Sequence, residues 1–316
     1  MEKSKLPLKK KKSSNKILST SSKTMPNIQR TSNRSKTLKV GKSNPISLTY
    51  KITYKYKEFQ NPDYNSYMED FGLIVPEFMG DKKKYLFSVF DGHGGDHTAK
   101  ICVENLPQIL KREIKLTPNN IEQSFINTFK KLDEKMKNFL TEGNTLTCVY
   151  LSDNIIHLAN VGDSSCFMVN SDKAYKISFD HKCTEPSELR RIEKEGGKVI
   201  EERLNDVIMI SRSIGDMDQK DKGLSCIPYY NKININFQDN FCVMGSDGVW
   251  DCIDEESLFI LSNQVLENNT IQDKADALCQ KLIDTAVSLG SQDNICCLVV
   301  CFEWDYLKIY WLLIFY

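Results

Sequence analysis

Acidic residues recur at the ends of apolar runs in this 316-residue chain: Glu69-Asp70, Asp91, Asp163, Asp247 with Asp251, and Asp293. An aspartate beside a glycine ordinarily closes a turn, because its carboxylate hydrogen-bonds nearby backbone. Taken singly, each reads that way. Taken together, several such endings could meet at one rim of a sheet pair, where carboxylates repel one another unless cations lie between them. Hard divalent ions such as Mg²⁺ or Mn²⁺ take oxygen ligands of this kind, with carbonyls and water completing the shell. The chemistry suggested is metal binding, and composition alone leaves convergence of these residues open.

Histidine is the side chain best suited to move protons near neutral pH. Of the 4 histidines, His93 stands in the loop Asp91-Gly92-His93-Gly94-Gly95, two residues after the strongest acidic candidate. His97 lies four residues on, but without the HExxH pattern of a zinc site it reads as an ordinary helix-start residue. His157 falls in a hairpin and His181 in a loop, and both read as structural. Two other motifs fail. Asp216-Met217-Asp218-Gln219-Lys220-Asp221 opens like an EF-hand loop, yet its sixth position is Asp221 rather than glycine and its twelfth is Ile227. No GxxxxGK[ST] phosphate loop occurs, so nucleotide-dependent chemistry has no support.

The elements that must position these residues mix strands and helices. Tyr85 to Phe90 is an apolar run stopped by Asp91-Gly92, as a buried strand entering a loop would be. Leu146 to Leu151 and Ile155 to Val161 flank Ser152-Asp153-Asn154, a hairpin pattern. Residues 96–113 and 119–141 have helical apolar spacing, and Pro186 and Gly196-Gly197 bracket a short charged helix. Phe241 to Met244 and Ile295 to Phe302 read as strands, with two helices between them. Without a regular βαβ alternation, this order predicts antiparallel sheets covered by helices.

Charge is divided unevenly. Residues 1–43 hold 13 of the 42 Lys and Arg but a single acid, Glu2, so the rest carries 29 basic against 41 acidic residues. That segment has few large apolar residues to offset ordering entropy, and it is expected to be a disordered tail. Lys9-Lys10-Lys11-Lys12 suits nuclear import or nucleic acid, with a solvated linker the plainer reading and a transit peptide a third. Nucleic acid is not an expected obligate partner. The 11 cysteines form no CxxC pair and sit mostly in apolar runs, as free buried thiols in a reducing compartment would. No secretory h-region follows the first lysines, and Glu2 excludes myristoylation. A cytoplasmic or nuclear location is expected. The apolar run Tyr306 to Tyr316 is too short for the roughly 20 residues of a membrane-spanning helix.

In order along the chain stand Met68-Glu69-Asp70, Phe87 to Gly95, Ala159-Asn160-Val161-Gly162-Asp163-Ser164 and Asp180-His181-Lys182. They are followed by Glu188 through Arg191-Ile192 to Gly196-Gly197, Ser211 to Asp216, Ser246-Asp247-Gly248-Val249-Trp250-Asp251 and Gly290 to Asn294. This series resembles the PP2C-type, or PPM, metal-dependent protein phosphatases over roughly residues 46–303. The resemblance implies an α+β fold, an αββα sandwich of two antiparallel sheets between helical layers. It implies a phosphatase domain over 44–304 between the tails 1–43 and 305–316, acting on phosphoserine and phosphothreonine proteins, with no obligate partner and a monomer as the expected state. It further implies two Mn²⁺ or Mg²⁺ ions: Asp91 as the carboxylate bridging both, the Gly92 backbone carbonyl as a further ligand, Asp247 and Asp293 completing the second ion, and Glu69 and Asp70 on the first ion or its waters. Asp163 with Asp247 and Asp251 matches a weaker third metal site, and His93 the general acid. In that chemistry a metal-activated water attacks phosphorus directly, with no phosphoenzyme.

The pattern departs at Asn65, where the family usually has a phosphate-gripping arginine. An amide cannot form the charged bidentate clamp, a loss of roughly 1.5–3 kcal/mol, unless Lys55 or Lys57 compensates. Ser165 and Cys183 also replace a usual arginine and proline. The alternative reading is therefore a weak or inactive PP2C-like scaffold that binds phosphoproteins.

Overall fold

The computed structural model describes residues 50–268 and 270–305. The expected tail at 1–43 and the apolar run from residue 306 lie outside the described residues.

Ten strands build two five-stranded sheets: β1 (Tyr50–Phe59), β2 (Phe71–Val75), β3 (Lys84–Phe90), β4 (Leu146–Ser152), β5 (Ile155–Val161), β6 (Ser165–Asn170), β7 (Ala174–Lys176), β8 (Tyr229–Asn234), β9 (Asp239–Gly245) and β10 (Ile295–Trp304). One sheet runs β1-β10-β9-β6-β7 and the other β8-β5-β4-β3-β2. All their pairings are antiparallel. The helices are α1 (His97–Leu116), α2 (Ile121–Lys135), α3 (Pro186–Lys194), the single turn α4 (Asp247–Trp250), α5 (Glu255–Glu267) and α6 (Lys274–Ser288).

Strand β10 shows how the layers stack. Cys296, Leu298, Val300 and Phe302 pack against Phe87, Val89, Val149 and Leu158 of the other sheet. The alternate residues Ile295, Cys297, Val299 and Cys301 pack with Leu278, Leu282 and Ile283 of α6. A strand covered on both faces has no solvent side, so its sequence shows no polar alternation. On the opposite outer face, Leu86, Phe90, Leu146 and Cys148 lie under Leu106, Leu110, Phe125 and Phe129 of α1 and α2. Each such fully buried side chain contributes about 1.5–3 kcal/mol. The layers are helix, sheet, sheet, helix, the αββα sandwich the sequence led us to expect. All eleven cysteines are free thiols, nine of them buried.

The second helix is shorter than its apolar spacing predicts, stopping at Lys135 instead of continuing to 141. Beyond it the carbonyls of Phe139 and Leu140 accept the amides of Met217 and Asp218, both at 3.1 Å. These long-range bonds replace further helical ones and swing the chain back so that Gly143–Asn144 pairs with Gly92–His93. Tertiary pairing overrides local propensity here. The first helix runs three residues past its expected end, to Leu116.

Beside the sandwich, α3 and the ribbon Val199–Ile200/Arg203–Leu204 share a small core of Cys183, Ile192, Leu204 and Leu224. Its polar centre is the buried Glu188, which accepts from Arg191 Nη2 at 2.8 Å, Arg212 Nε at 3.0 Å and Ser211 Oγ at 2.7 Å.

Candidate functional site

Strand register brings the acidic positions to one rim. Phe71 pairs with Phe90, so Asp70 and Asp91 leave neighbouring strands at the same end. Leu146 pairs with Val161, which sets Asp163 just past that end of β5. Gly245 pairs with Cys297, which puts Asp247 past the end of β9 and Asp293 just before β10 at the matching end of the other sheet. Antiparallel strands alternate direction, so acids that follow some strands and precede others gather together.

The result is a polar cavity lined by Glu69, Asp91, Asp163, Asp247, Asp251 and Asp293, with Gly92 and His93 in its wall. Carboxylate oxygens of Asp91, Asp163 and Asp247 all lie within 4.8 Å of one another. Burial pushes the carboxyls of Asp91 and Asp247 well above the usual range, and the surrounding carboxylates push them further. Asp163 is raised too, by burial, although Lys182 works against it. Glu69 is raised by burial and partly relieved by the Gly95 amide, which donates to Oε1 at 2.7 Å. Asp70 stands behind the cavity, 2% exposed, with Oδ2 lacking any partner. Burial raises its carboxyl as well, against a hydrogen bond from Ser246. Crowding repelling carboxylates with one lysine nearby is costly, and an orphaned carboxylate oxygen beside them adds to that cost. All-oxygen donors in this number fit a hard divalent cation.

Close backbone packing holds the ligating loops. A Cβ on Gly92 would stand 2.7 Å from the Glu69 carbonyl, and one on Gly248 would stand 2.1 Å from that of Asn294. Asn294 ties three segments together: its Oδ1 accepts the Glu69 amide at 2.7 Å, and its Nδ2 donates to Gln60 O at 2.8 Å. Asn61 Nδ2 donates to the carbonyls of Ser291 at 2.7 Å and Asp293 at 3.1 Å.

Asn65 stands at this end too, in a cleft shared with Asp251, Gln292 and Asp293. Its amide donates to the Gln292 carbonyl at 2.9 Å. Lys55 and Lys57 do not substitute for the missing arginine: both pair with Asp276 of α6 at 3.0 Å. The lysine among the cavity's lining residues is Lys182, 4.0 Å from Asp251.

Sequence reading missed Asp216 as a site residue. His93 Nε2 lies 2.9 Å from both Asp216 oxygens, across 123 positions of sequence. Burial alone would lower the His93 pKa, but Asp216, through its hydrogen bond and charge, with Glu69 and Asp163, outweighs burial and raises it. The available signal was its place in the segment Ser211 to Asp216. The remaining histidines are structural: His97 starts α1, His157 Nδ1 meets the Tyr230 hydroxyl at 2.7 Å, and His181 Nδ1 the Gly162 carbonyl at 3.1 Å.

Comparison with known proteins agrees with this geometry. The family described as Protein phosphatase 2C matches residues 54–295. The mouse integrin-linked kinase-associated serine/threonine phosphatase 2C is 33% identical over 243 residues, covering 68% of this chain and 62% of its own length. This chain thus spans under two thirds of that relative. Protein phosphatase 2C homolog 1 of Saccharomyces cerevisiae is 27% identical over 276 residues, covering 81% of this chain and 95% of its own. Among solved structures, a serine-threonine phosphatase 2C from Toxoplasma gondii aligns with a TM-score of 0.70 at 20% identity, over 82% of this chain and 97% of its own. A C. elegans sex determining protein aligns at 0.72 and 24% identity, over 79% and 64%. At those identities the structures speak for the fold. The chain belongs to the protein phosphatase 2C family.

Proposed function

We propose that this chain is a divalent-cation-dependent protein serine/threonine phosphatase that hydrolyses phosphoserine and phosphothreonine by direct attack of water. The observation that carries this reading is the convergence of Asp91, Asp163 and Asp247 within 4.8 Å in a cavity that His93 also lines. Asp91, the Gly92 carbonyl, Asp247 and Asp293 would hold two Mn²⁺ or Mg²⁺ ions, with Glu69 and Asp70 supporting them and Asp163 and Asp251 forming a weaker third position. Bound there, the ions would lower the pKa of water and offset charge growing on phosphoryl oxygens. Lys182, on the cavity wall, is suited to draw in the phosphate dianion. His93 is suited to protonate the departing seryl or threonyl oxygen. No cysteine or serine nucleophile enters, so no phosphoenzyme accumulates.

The test is hydrolysis of a phosphothreonine peptide by the purified chain with Mn²⁺, Mg²⁺ or EDTA, alongside Asp91→Ala. Activity that needs the cation and disappears in the variant supports the reading. A folded chain silent in every cation, and still silent as Asn65→Arg, would instead make it a phosphoprotein-binding scaffold.

A further inference from the structure

The Asp216 carboxylate is held by features that serve no obvious packing purpose. It is 5% exposed and faces a histidine that is 32% exposed on the cavity wall. Ser213 Oγ donates to its Oδ2 at 2.6 Å, which fixes the carboxylate from behind. Its own backbone has φ of 50°, following Gly215 at 93°, two successive left-handed residues. At Asp216, unlike the glycine before it, that conformation is strained, and it persists where surrounding contacts enforce it. Here they do. The Gly215 amide donates to Asp133 Oδ1 at 3.0 Å. Lys220 bridges Asp133 at 2.9 Å and the Ser213 carbonyl at 2.7 Å. Gly143 leaves the necessary space, since a Cβ there would fall 2.0 Å from Asp216 Oδ2.

An ionised carboxylate only accepts hydrogen bonds, so the ring nitrogen facing it carries a proton. With Nε2 committed to Asp216, Nδ1 is the ring atom left to exchange a proton with a bound group. We propose that Asp216 is the positioning residue of this site, fixing the His93 ring so that Nδ1 is presented to the leaving oxygen of a phosphorylated side chain. This rests on the phosphatase reading above. In the step, the P–O bond to serine or threonine breaks and its electron pair stays on that oxygen, which takes the Nδ1 proton. Water supplies the new oxygen on phosphorus, and the Nε2 proton stays between His93 and Asp216. The arrangement follows the logic of a carboxylate that orients an imidazole without itself accepting the proton.

The experiment compares kcat on a phosphothreonine peptide, whose alkoxide needs a proton, with kcat on p-nitrophenyl phosphate, whose phenolate does not. Asp216→Asn should lower peptide turnover about 100-fold, in the range of general-acid effects. It should lower p-nitrophenyl phosphate turnover less than about threefold, and Mn²⁺ affinity by calorimetry should stay within about twofold. In a His93→Ala background the same substitution should cost little, because the two residues act as one unit. Equal losses on both substrates, or an undiminished loss in the His93→Ala background, would overturn the proposal. Should Asp216→Asn fail to fold, Ser213→Ala and the ¹⁵N resonances of His93 in the unaltered protein decide. The variant should show the same substrate bias more weakly, and the ring should be protonated at Nε2; a neutral Nδ1–H ring would overturn the proposal. Wild type that hydrolyses neither substrate would refute the phosphatase reading itself, a separate outcome.

Discussion

Two carboxylate sites in this chain, the buried Glu188 and the half-buried trio Asp91, Asp163 and Asp247, live under opposite electrostatics. Glu188 is surrounded by Arg191, Arg212 and Ser211, and although burial works against the charged form, these partners pull its pKa down to about 2. Asp91, Asp163 and Asp247 have one another for neighbours, and burial with repulsion from nearby carboxylates pushes all three up, although Lys182 works against it at Asp163. The first set is satisfied by the chain itself, and it locks α3 to the loop carrying Ser211 and Arg212. The second is left unsatisfied, with Lys182 as the lysine on its wall. A fold that neutralises one buried acid with two arginines but leaves a carboxylate cluster bare leaves that cluster suited to a ligand of opposite charge. Stability is concentrated in one place and given up in the other.

The largest expected effect comes from breaking the satisfied set. Glu188→Gln leaves Arg212 without its counter-charge and Arg191 with Glu195 alone, and should cost about 3–5 kcal/mol in urea unfolding at pH 7. Acid should reproduce this in the unaltered protein. A group lowered from 4.5 to about 2 contributes fully above pH 4.5 and loses that contribution as pH falls through about 2. That window should steepen the acid limb of stability, and Glu188→Gln should flatten it.

Next comes adding to the bare set the charge it lacks. Asn65→Arg should raise kcat/KM on a phosphopeptide roughly 10- to 100-fold, the equivalent of 1.5–3 kcal/mol for a charge-assisted contact. No gain would mean that Lys182 already supplies the phosphate contact. A smaller effect of opposite sign to Glu188→Gln is expected from neutralising one member of the cluster. Without cation, Asp91→Asn should stabilise the fold by about 1 kcal/mol, some 2–4 °C for a chain of this size, because it removes repulsion. Lys57→Ala should leave kcat/KM within about twofold, since its ammonium is engaged with Asp276 and Gln280, and ion pairs of this kind are worth under about 1 kcal/mol.

Much of the frame was legible because apolar runs and turn residues agreed locally. The run Tyr85 to Phe90 and the hairpin around Asp153 fall where their patterns placed them, Asp153 taking the left-handed φ of 54° that such a turn needs. The acids could be shortlisted because each sits at a strand end, but only register decides whether strand ends share a rim. The end of α2 was not legible, because the bonds from Phe139 and Leu140 that stop it come from residues near 217. Asp216 was hidden for the same reason. Its partner is 123 positions away, and nothing in its local sequence separates an acid that orients a histidine from one that closes a loop.

Thermal unfolding of the wild type and Asp91→Asn, each in EDTA and in excess Mn²⁺, tests most directly that the bare cluster is a cation site. In EDTA the variant should melt above the wild type. With Mn²⁺ at about 100 times its dissociation constant the wild type should gain about 2.7 kcal/mol, and the variant much less. A variant that melts below the wild type in EDTA, together with equal Mn²⁺ shifts for both proteins, would contradict the account.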